Sequence, residues 1–335
     1  MKVSELGEFG LIDLLAKTVN KSRENQTSWQ QLIIGIGDDA AAWQSKTAIQ
    51  LATTDSLIQD VHFSLAWADW NSLGWKALAI SLSDIAAMGG MPEYALVTLA
   101  LPANSEVEDV TALYQGMIEP AQQSGVAIVG GDVDRAPLIV ITTTVLGNAS
   151  DREHILTRFA ARPGEKIAVT GYLGAAAAGL KTLTEKLQLD PEAASYLKRD
   201  FLRPNPRIAE GQLLVERGVK TAIDISDGLI SDLNHICQSS QVGARLEIHR
   251  LPIAPEVKAN FGENSLELAL SGGEDYELLF TASAEAIDKI KGAASCPITI
   301  IGEVTDDKSG TINLVDSQGN PFRPAKGGWD HFTAE

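Results

Sequence analysis

Gln31-Leu-Ile-Ile-Gly-Ile-Gly-Asp-Asp-Ala-Ala-Ala42 joins an apolar, β-branched run to two adjacent carboxylates through a pair of glycines. Leu32, Ile33 and Ile34 read as the end of a buried strand, and Gly35 and Gly37 let the backbone turn or approach a ligand closely. Asp38 and Asp39 then stand just past the strand, where hard cations are usually held. The same residues also suit a plain Asx turn, because Gly and Asp are the commonest turn residues. Strand ends elsewhere in the chain bear on that choice.

The 335 residues suggest two domains with room for a sizeable core. A composition 44 % hydrophobic and 21 % charged is that of a globular protein. The net charge of −17 argues against a nucleic-acid partner, which clustered Lys and Arg would favour. A polyanionic ligand would need positive charge from elsewhere, and divalent cations held by carboxylates supply it. Cys237 and Cys296 fall in no CxxC or Cys/His pattern, so neither a disulfide framework nor a structural zinc is expected. The N-terminus lacks the apolar stretch of a signal peptide, and the small-apolar run 171–180 is too short to span a bilayer. A soluble cytoplasmic protein without a membrane partner is expected.

Residues 4–19 repeat apolar side chains with helical period, and 47–53 form a strand running into Thr54-Asp55. A helix is expected over 69–88. Its second half is small and apolar around Asp84, and Gly89-Gly90 with Pro92 end it. Then come a strand at 94–101, a capping box Ser105-x-x-Glu108 opening a helix to about 124, a strand at 126–129 ending in Gly130-Gly131-Asp132, and a strand at 138–146. The composition turns polar near residue 150, which divides the chain into domains 1–150 and 151–335. The second half has strands at 166–170, 221–225, 244–248, 276–281, 297–301 and 311–315, with helices after Gly174 and at 206–217, 229–239 and 283–291. Mixed strands and helices in both halves indicate an α/β or α+β architecture.

One strand after another thus ends in an acid: Asp38, Asp55, Asp132, and Asp224 with Asp227. Asp84 joins them from a helix. Acids serving only solubility would be scattered over exposed faces. If these converge, their repulsion calls for several Mg²⁺ or Ca²⁺ ions. No Walker A, HRD or DFG pattern is present, so phosphate binding would take a different route.

Seven motifs occur in order: Gly35-Ile-Gly-Asp-Asp-Ala; Thr53-Thr-Asp-Ser with His62-Phe63 downstream; Ser83-Asp-Ile-Ala-Ala-Met-Gly; Val129-Gly-Gly-Asp; Leu156-Thr-Arg-x-x-Ala-Arg-Pro-Gly-Glu; Asp224-Ile-Ser-Asp-Gly-Leu; and Ser271-Gly-Gly-Glu-Asp-Tyr-Glu-Leu. On these the chain, from about residue 5 to Trp329, closely resembles the thiamine-monophosphate kinase family of the aminoimidazole ribonucleotide synthetase-like ATP-binding superfamily. The resemblance implies a two-domain fold that dimerises through its N-terminal mixed sheet, with a C-terminal α/β domain. It implies a kinase that binds ATP with several Mg²⁺ and converts thiamine monophosphate to thiamine diphosphate.

By motif position, Asp38, Thr53, Thr54, Asp55, Asp84, Asp132, Asp224 and Asp227 match the family's metal-binding set. Tyr114, Gly131, Asp132, Arg158 and Ser226 match its nucleotide contacts, and His62, Glu274 and Trp329 its substrate contacts. Asp39, Asp134 and Asp275 neighbour these and compete with them. Arg158 and Asp55 would act in the transfer itself, Arg158 as a charge-stabilising donor and Asp55 as a metal ligand. The acceptor phosphate is already largely ionised at neutral pH, so its oxygen attacks phosphorus without a general base. Trp329 would stack on the flat cationic ring of thiamine. The alternatives are another member of the superfamily, or a non-catalytic nucleotide-binding protein that keeps the metal site. A selenophosphate synthetase would be expected to carry an N-terminal Cys, and the hydrogenase-maturation relative a C-terminal one; this chain has neither.

Overall fold

The computed structural model describes residues 32–34, 38, 41–44, 49–325 and 327–328. The helix expected over 4–19, the two glycines 35 and 37, Asp39 and Trp329 lie outside the described residues.

The first sheet comprises β1 (Leu32–Ile34), β2 (Ala41–Gln44), β3 (Ile49–Ile58), β4 (Met91–Leu101), β5 (Ala127–Arg135) and β6 (Val140–Ala149). Their spatial order is β1-β2-β3-β6-β4-β5, antiparallel except for β4 beside β5. Burial alternates along β6, so one face of the sheet is core and the other is not. The core face is covered by α1 (Trp70–Ala87) and α2 (Val107–Ser124). Asp69 caps α1 by accepting the Ser72 amide hydrogen at 2.8 Å, and the helix stops at Gly89-Gly90 as its sequence predicts. The two helices pack backbone to backbone at Gly74 and Gly116. A methyl group on either would stand 1.8 Å from the other helix's carbonyl oxygen. The capping box expected from Ser105 does not form: Glu106 is the N-cap, without a side-chain bond, and Glu108 and Asp109 in the first turn complement the helix dipole instead.

The second sheet comprises β7 (Lys166–Thr170), β8 (Thr221–Asp224), β9 (Gly243–Glu247), β10 (Leu278–Ala282), β11 (Ile298–Thr305), β12 (Ile312–Val315) and β13 (Pro321–Phe322), in the order β13-β12-β9-β11-β7-β10-β8. Helices α3 (Ala175–Thr184), α4 (Pro191–Leu202), α5 (Ile208–Glu216), α6 (Leu229–Ser240), α7 (Pro255–Phe261), α8 (Ser265–Ser271) and α9 (Ala284–Lys291) belong to this half. The α+β reading therefore describes both halves.

Helix α1 is apolar nearly all round because it is covered on both sides. Its buried residues include Ser81 and Ser83, and α5 and β8 of the second half close over it. At Gly211 of α5 a methyl group would lie 2.2 Å from the Ala86 carbonyl oxygen, and the Trp75 indole donates to the Pro204 carbonyl at 2.7 Å. This helix carries one half of the site into the other.

Two strands run further than their local sequence predicts. β3 continues through Asp55 to Ile58, paired throughout with β6, and β5 continues through Gly130-Gly131-Asp132 to Arg135, paired with β4. Ladder pairing, not local turn chemistry, sets these lengths. Gly131, at φ +152°, is required there, because a side chain would meet the Val97 carbonyl oxygen at 1.8 Å. Register then separates two acids read as equivalent. Asp55 lies in one cross-strand row with Thr143, Val97 and Gly131, and Asp132 in the next, with Thr98, Thr142 and Ser56. Successive side chains point to opposite faces, so Asp55 faces α1 and Asp132 faces away.

Candidate active site

Three elements meet under the first sheet. β3 brings Thr53 and Asp55; α1 brings Ser81, Ser83 and Asp84; β8 ends in Asp224. Thr53 donates its hydroxyl to the Asp84 carboxylate, Ser81 donates to Asp55 at 2.9 Å, and Ser83 donates to Asp224 at 2.6 Å. Asp55 and Asp84 are close enough for their charges to act on each other. Burial pushes Asp84 well above the usual carboxylate range, and the charges of Asp55 and Asp224 push it further. Burial likewise raises Asp55, against the bond from Ser81. It raises Asp224 to about 6, although Ser83 and the Arg158 charge oppose it.

Arg158 closes one side of this cluster. Its guanidinium lies 3.4 Å from Asp38 and its amide donates to the same carboxylate at 3.3 Å. Burial raises Asp38 to about 6 in spite of that partner. The Arg158 backbone is itself held, its carbonyl accepting from Ser240 at 2.8 Å. On the other side the loop Ser226-Asp227-Gly228 is shaped by Asp232, which accepts all three amide hydrogens at 3.1, 3.2 and 3.1 Å. Asp227, Asp232 and His235 hold ligand atoms within 4.8 Å of one another. Sequence reading missed Asp232; its signal was an acid in the first turn of α6, four residues after Gly228.

Of the acceptor-side candidates, Glu274 lies against this loop. Glu274 donates its amide to the Ser226 carbonyl at 2.8 Å, and its carboxylate pairs with Lys76 of α1 at 3.0 Å. The neighbouring Asp275 is engaged differently: it accepts from the Gly174 and Ala176 amides, at 2.8 and 3.3 Å, at the start of α3. Between these two neighbours, the geometry leaves Glu274 as the one facing the loop. His62 accepts the Ile58 amide at Nδ1, 3.0 Å, so a neutral ring carries its proton on Nε2. Gly328 packs on Asp227, where a methyl group would meet the Asp227 carbonyl oxygen at 3.0 Å, so the chain entering Trp329 passes beside the loop.

Four of the expected residues, Gly131 of β5 among them, are not brought to the cluster within this chain. Thr54 points to the opposite face of β3 from Thr53 and Asp55, where its hydroxyl meets Thr144 at 3.0 Å. Asp132 is exposed on the edge strand and accepts its neighbour Val133's amide at 3.0 Å. It lies three strands from Asp55, about 14 Å at the usual strand spacing. Tyr114 of α2 is half-buried against the first core. Separately, a cleft of about 340 Å³ opens among Tyr172, Tyr196, Arg199, Arg207 and Asp275.

Carboxylates gathered in this way, held by hydroxyls and by Arg158, are suited to binding cations. Two family models match the chain: the AIR synthase related protein N-terminal domain over residues 37–149 and the C-terminal domain over 162–315. The thiamine-monophosphate kinase of Escherichia coli strain K12 is 39 % identical over 332 residues, 97 % of this chain and 98 % of that one. The chain belongs to the thiamine-monophosphate kinase family. A second thiamine-monophosphate kinase, from Bacillus subtilis strain 168, is 37 % identical over 308 residues, 89 % of this chain and 93 % of the relative. The solved structure "AaThiL complexed with AMPPCP and TMP" superposes with a TM-score of 0.85 at 33 % identity, covering 99 % of both chains. No helix among the described residues is long and apolar enough to cross a membrane.

Proposed function

We propose that this chain transfers the γ-phosphoryl group of ATP to thiamine monophosphate, giving ADP and thiamine diphosphate, with Mg²⁺ held by its acidic cluster. The observation that carries this reading is the convergence of half-buried Asp55 and Asp84 with buried Asp224, from two halves of the fold, onto one spot. Oxygen-only donors in such density suit a hard cation, and the raised carboxylates mark a site short of positive charge. Asp38, Thr53, Asp55, Asp84, Asp224 and Asp227 would hold the ions. Bound there, Mg²⁺ would neutralise phosphate charge as the two polyanions approach.

The protein's own residues do the positioning. Arg158, fixed from both its amide and its carbonyl, presents a guanidinium that stabilises charge on the transferring group. Ser226 and the Asp232-shaped loop hold the nucleotide side. His62 and Glu274, with Trp329, receive the acceptor. The acceptor phosphate attacks directly and in line, without a phosphoenzyme.

Asp132, Gly131 and Thr54 join the reading through a homodimer. The outer face of the first sheet exposes Tyr94 and Leu96 at 47 % and 38 %. An apolar, threonine-rich face of this kind suits the same face of a second copy, and the pairing would carry Asp132 toward the partner subunit.

Purified protein incubated with ATP, Mg²⁺ and thiamine monophosphate is expected to yield ADP and thiamine diphosphate in equal amounts. Absence of both products across pH and ionic conditions refutes the reading. Metal dependence of stability gives a second check. Asp38 and Asp224 have folded pKa values of about 6, above their ordinary 3.8. The cation-free folded state therefore binds extra protons, and its stability declines as pH rises through about 6. In EDTA the melting temperature should fall by several degrees from about pH 5 to about pH 8, and Mg²⁺ should restore it at the higher pH.

A further inference from the structure

Lys76 sits in the small-apolar run of α1 and is 1 % exposed. A buried ammonium costs several kcal/mol unless it is well paired. Among the described residues Lys76 meets one carboxylate, Glu274 at 3.0 Å, and one ring face, Phe201 of α4, with Nζ 3.5 Å from the centroid. Burial lowers the Lys76 pKa and the Glu274 charge opposes that shift.

Glu274 is unusual in its backbone as well. Its φ is +66° and that of Tyr276 is +49°, a left-handed conformation that side chains other than glycine seldom adopt. Amide bonds from Glu274 to Ser226 at 2.8 Å and from Tyr276 to Ile225 at 2.9 Å hold this strained stretch against the loop at the end of β8. The side chain is thus fixed at both ends, by the backbone and by Lys76. Its carboxylate is 26 % exposed, and the Lys76 contact is to Oε1. Among the described residues Oε2 accepts no hydrogen bond.

We propose that Lys76 is a positioning residue for the acceptor substrate: it holds Glu274 so that Oε2 receives a hydrogen-bond donor or cationic ring of thiamine monophosphate, and it offsets a negative charge that the acceptor phosphate would otherwise meet. This rests on the kinase reading. The Phe201 face completes the arrangement, since it stabilises the ammonium without competing for the carboxylate. ATP, which the Arg158 side serves, makes no use of the pair.

The test is steady-state kinetics of Lys76→Met, which keeps an unbranched apolar stem on Phe201, beside Glu274→Gln and the double variant. Lys76→Met is expected to raise KM for thiamine monophosphate about 10- to 100-fold while KM for ATP stays within about twofold. The double variant should be no worse than Glu274→Gln, because Lys76 acts through that residue. Calorimetric titration of thiamine monophosphate into protein saturated with ADP and Mg²⁺ reads the same loss without turnover. An unchanged acceptor KM, an equal rise for both substrates, or additive losses in the double variant would overturn the proposal. A wild-type protein that neither binds nor phosphorylates thiamine monophosphate would overturn the kinase reading itself.

Discussion

Replacing Asp84 by asparagine is expected to abolish nearly all turnover while making the cation-free protein harder to melt. Asp84 lies between two other acids, Asp55 and Asp224, and all three have carboxylates raised chiefly by desolvation. Asparagine keeps the shape, still accepts from Thr53, and carries no titrating proton. It ends the need to hold a proton on a carboxylate whose pKa burial and the Asp55 and Asp224 charges raise, so the cation-free fold gains. It also removes charge from the cation site, and kcat should drop about 10²- to 10³-fold, the size of effect typical for loss of one electrostatic contact to a transferring group. Kinetics at saturating substrates, with thermal melts in EDTA, check both halves. Turnover within about tenfold of wild type would remove Asp84 from the site, and a lower melting temperature would show that the acids do not strain the fold.

Asp55→Asn and Asp132→Asn, each inactive alone, are expected to recover activity when combined. Asp55 faces α1, whereas Asp132 lies on the opposite face and three strands away. One chain does not bring them together; the proposed homodimer, with a second copy across the outer sheet face, would. In a mixed dimer one site then carries both substitutions and the other carries neither. Selection for both tags leaves only mixed dimers, each with one intact site of two, giving about half of wild-type activity. Co-expression under two affinity tags, followed by assay of the doubly selected fraction, measures this. No recovery would place Asp132 outside a shared site, or the dimer elsewhere.

The sequence reached far where the signal was local. Asp69 and Gly89-Gly90 bracket α1 to within about a residue, and Ser283 caps α9 as its sequence predicts. The association of Asp84 with Asp55 and Asp224 was legible as soon as the acids were taken together, because a charge inside a small-apolar helix demands partners. What escaped was non-local. The ladders that carry β3 past Asp55 and β5 past Asp132 depend on neighbours distant in sequence, and one residue of register reverses a side chain's face. Thr54 and Asp132 went to the outer face for that reason. The choice between Glu274 and Asp275 rested on the start of α3, about a hundred residues earlier in the chain. Lys76 was in plain view as the lone cation of its run, yet its role depends on Glu274, nearly two hundred residues away.

Helix α1 is roofed by its own sheet on one side and by α5 and β8 on the other. Its hydroxyl from Ser83 reaches Asp224, and its ammonium from Lys76 reaches Glu274. Asp224 therefore joins Asp55 and Asp84 only after both halves have folded and closed around this helix. A partly folded chain leaves it apart from them and in water, where it attracts little metal. Competence to bind the cation thus works as a coincidence signal: it reports that two halves of the polypeptide have met, and bound cation would stabilise their union.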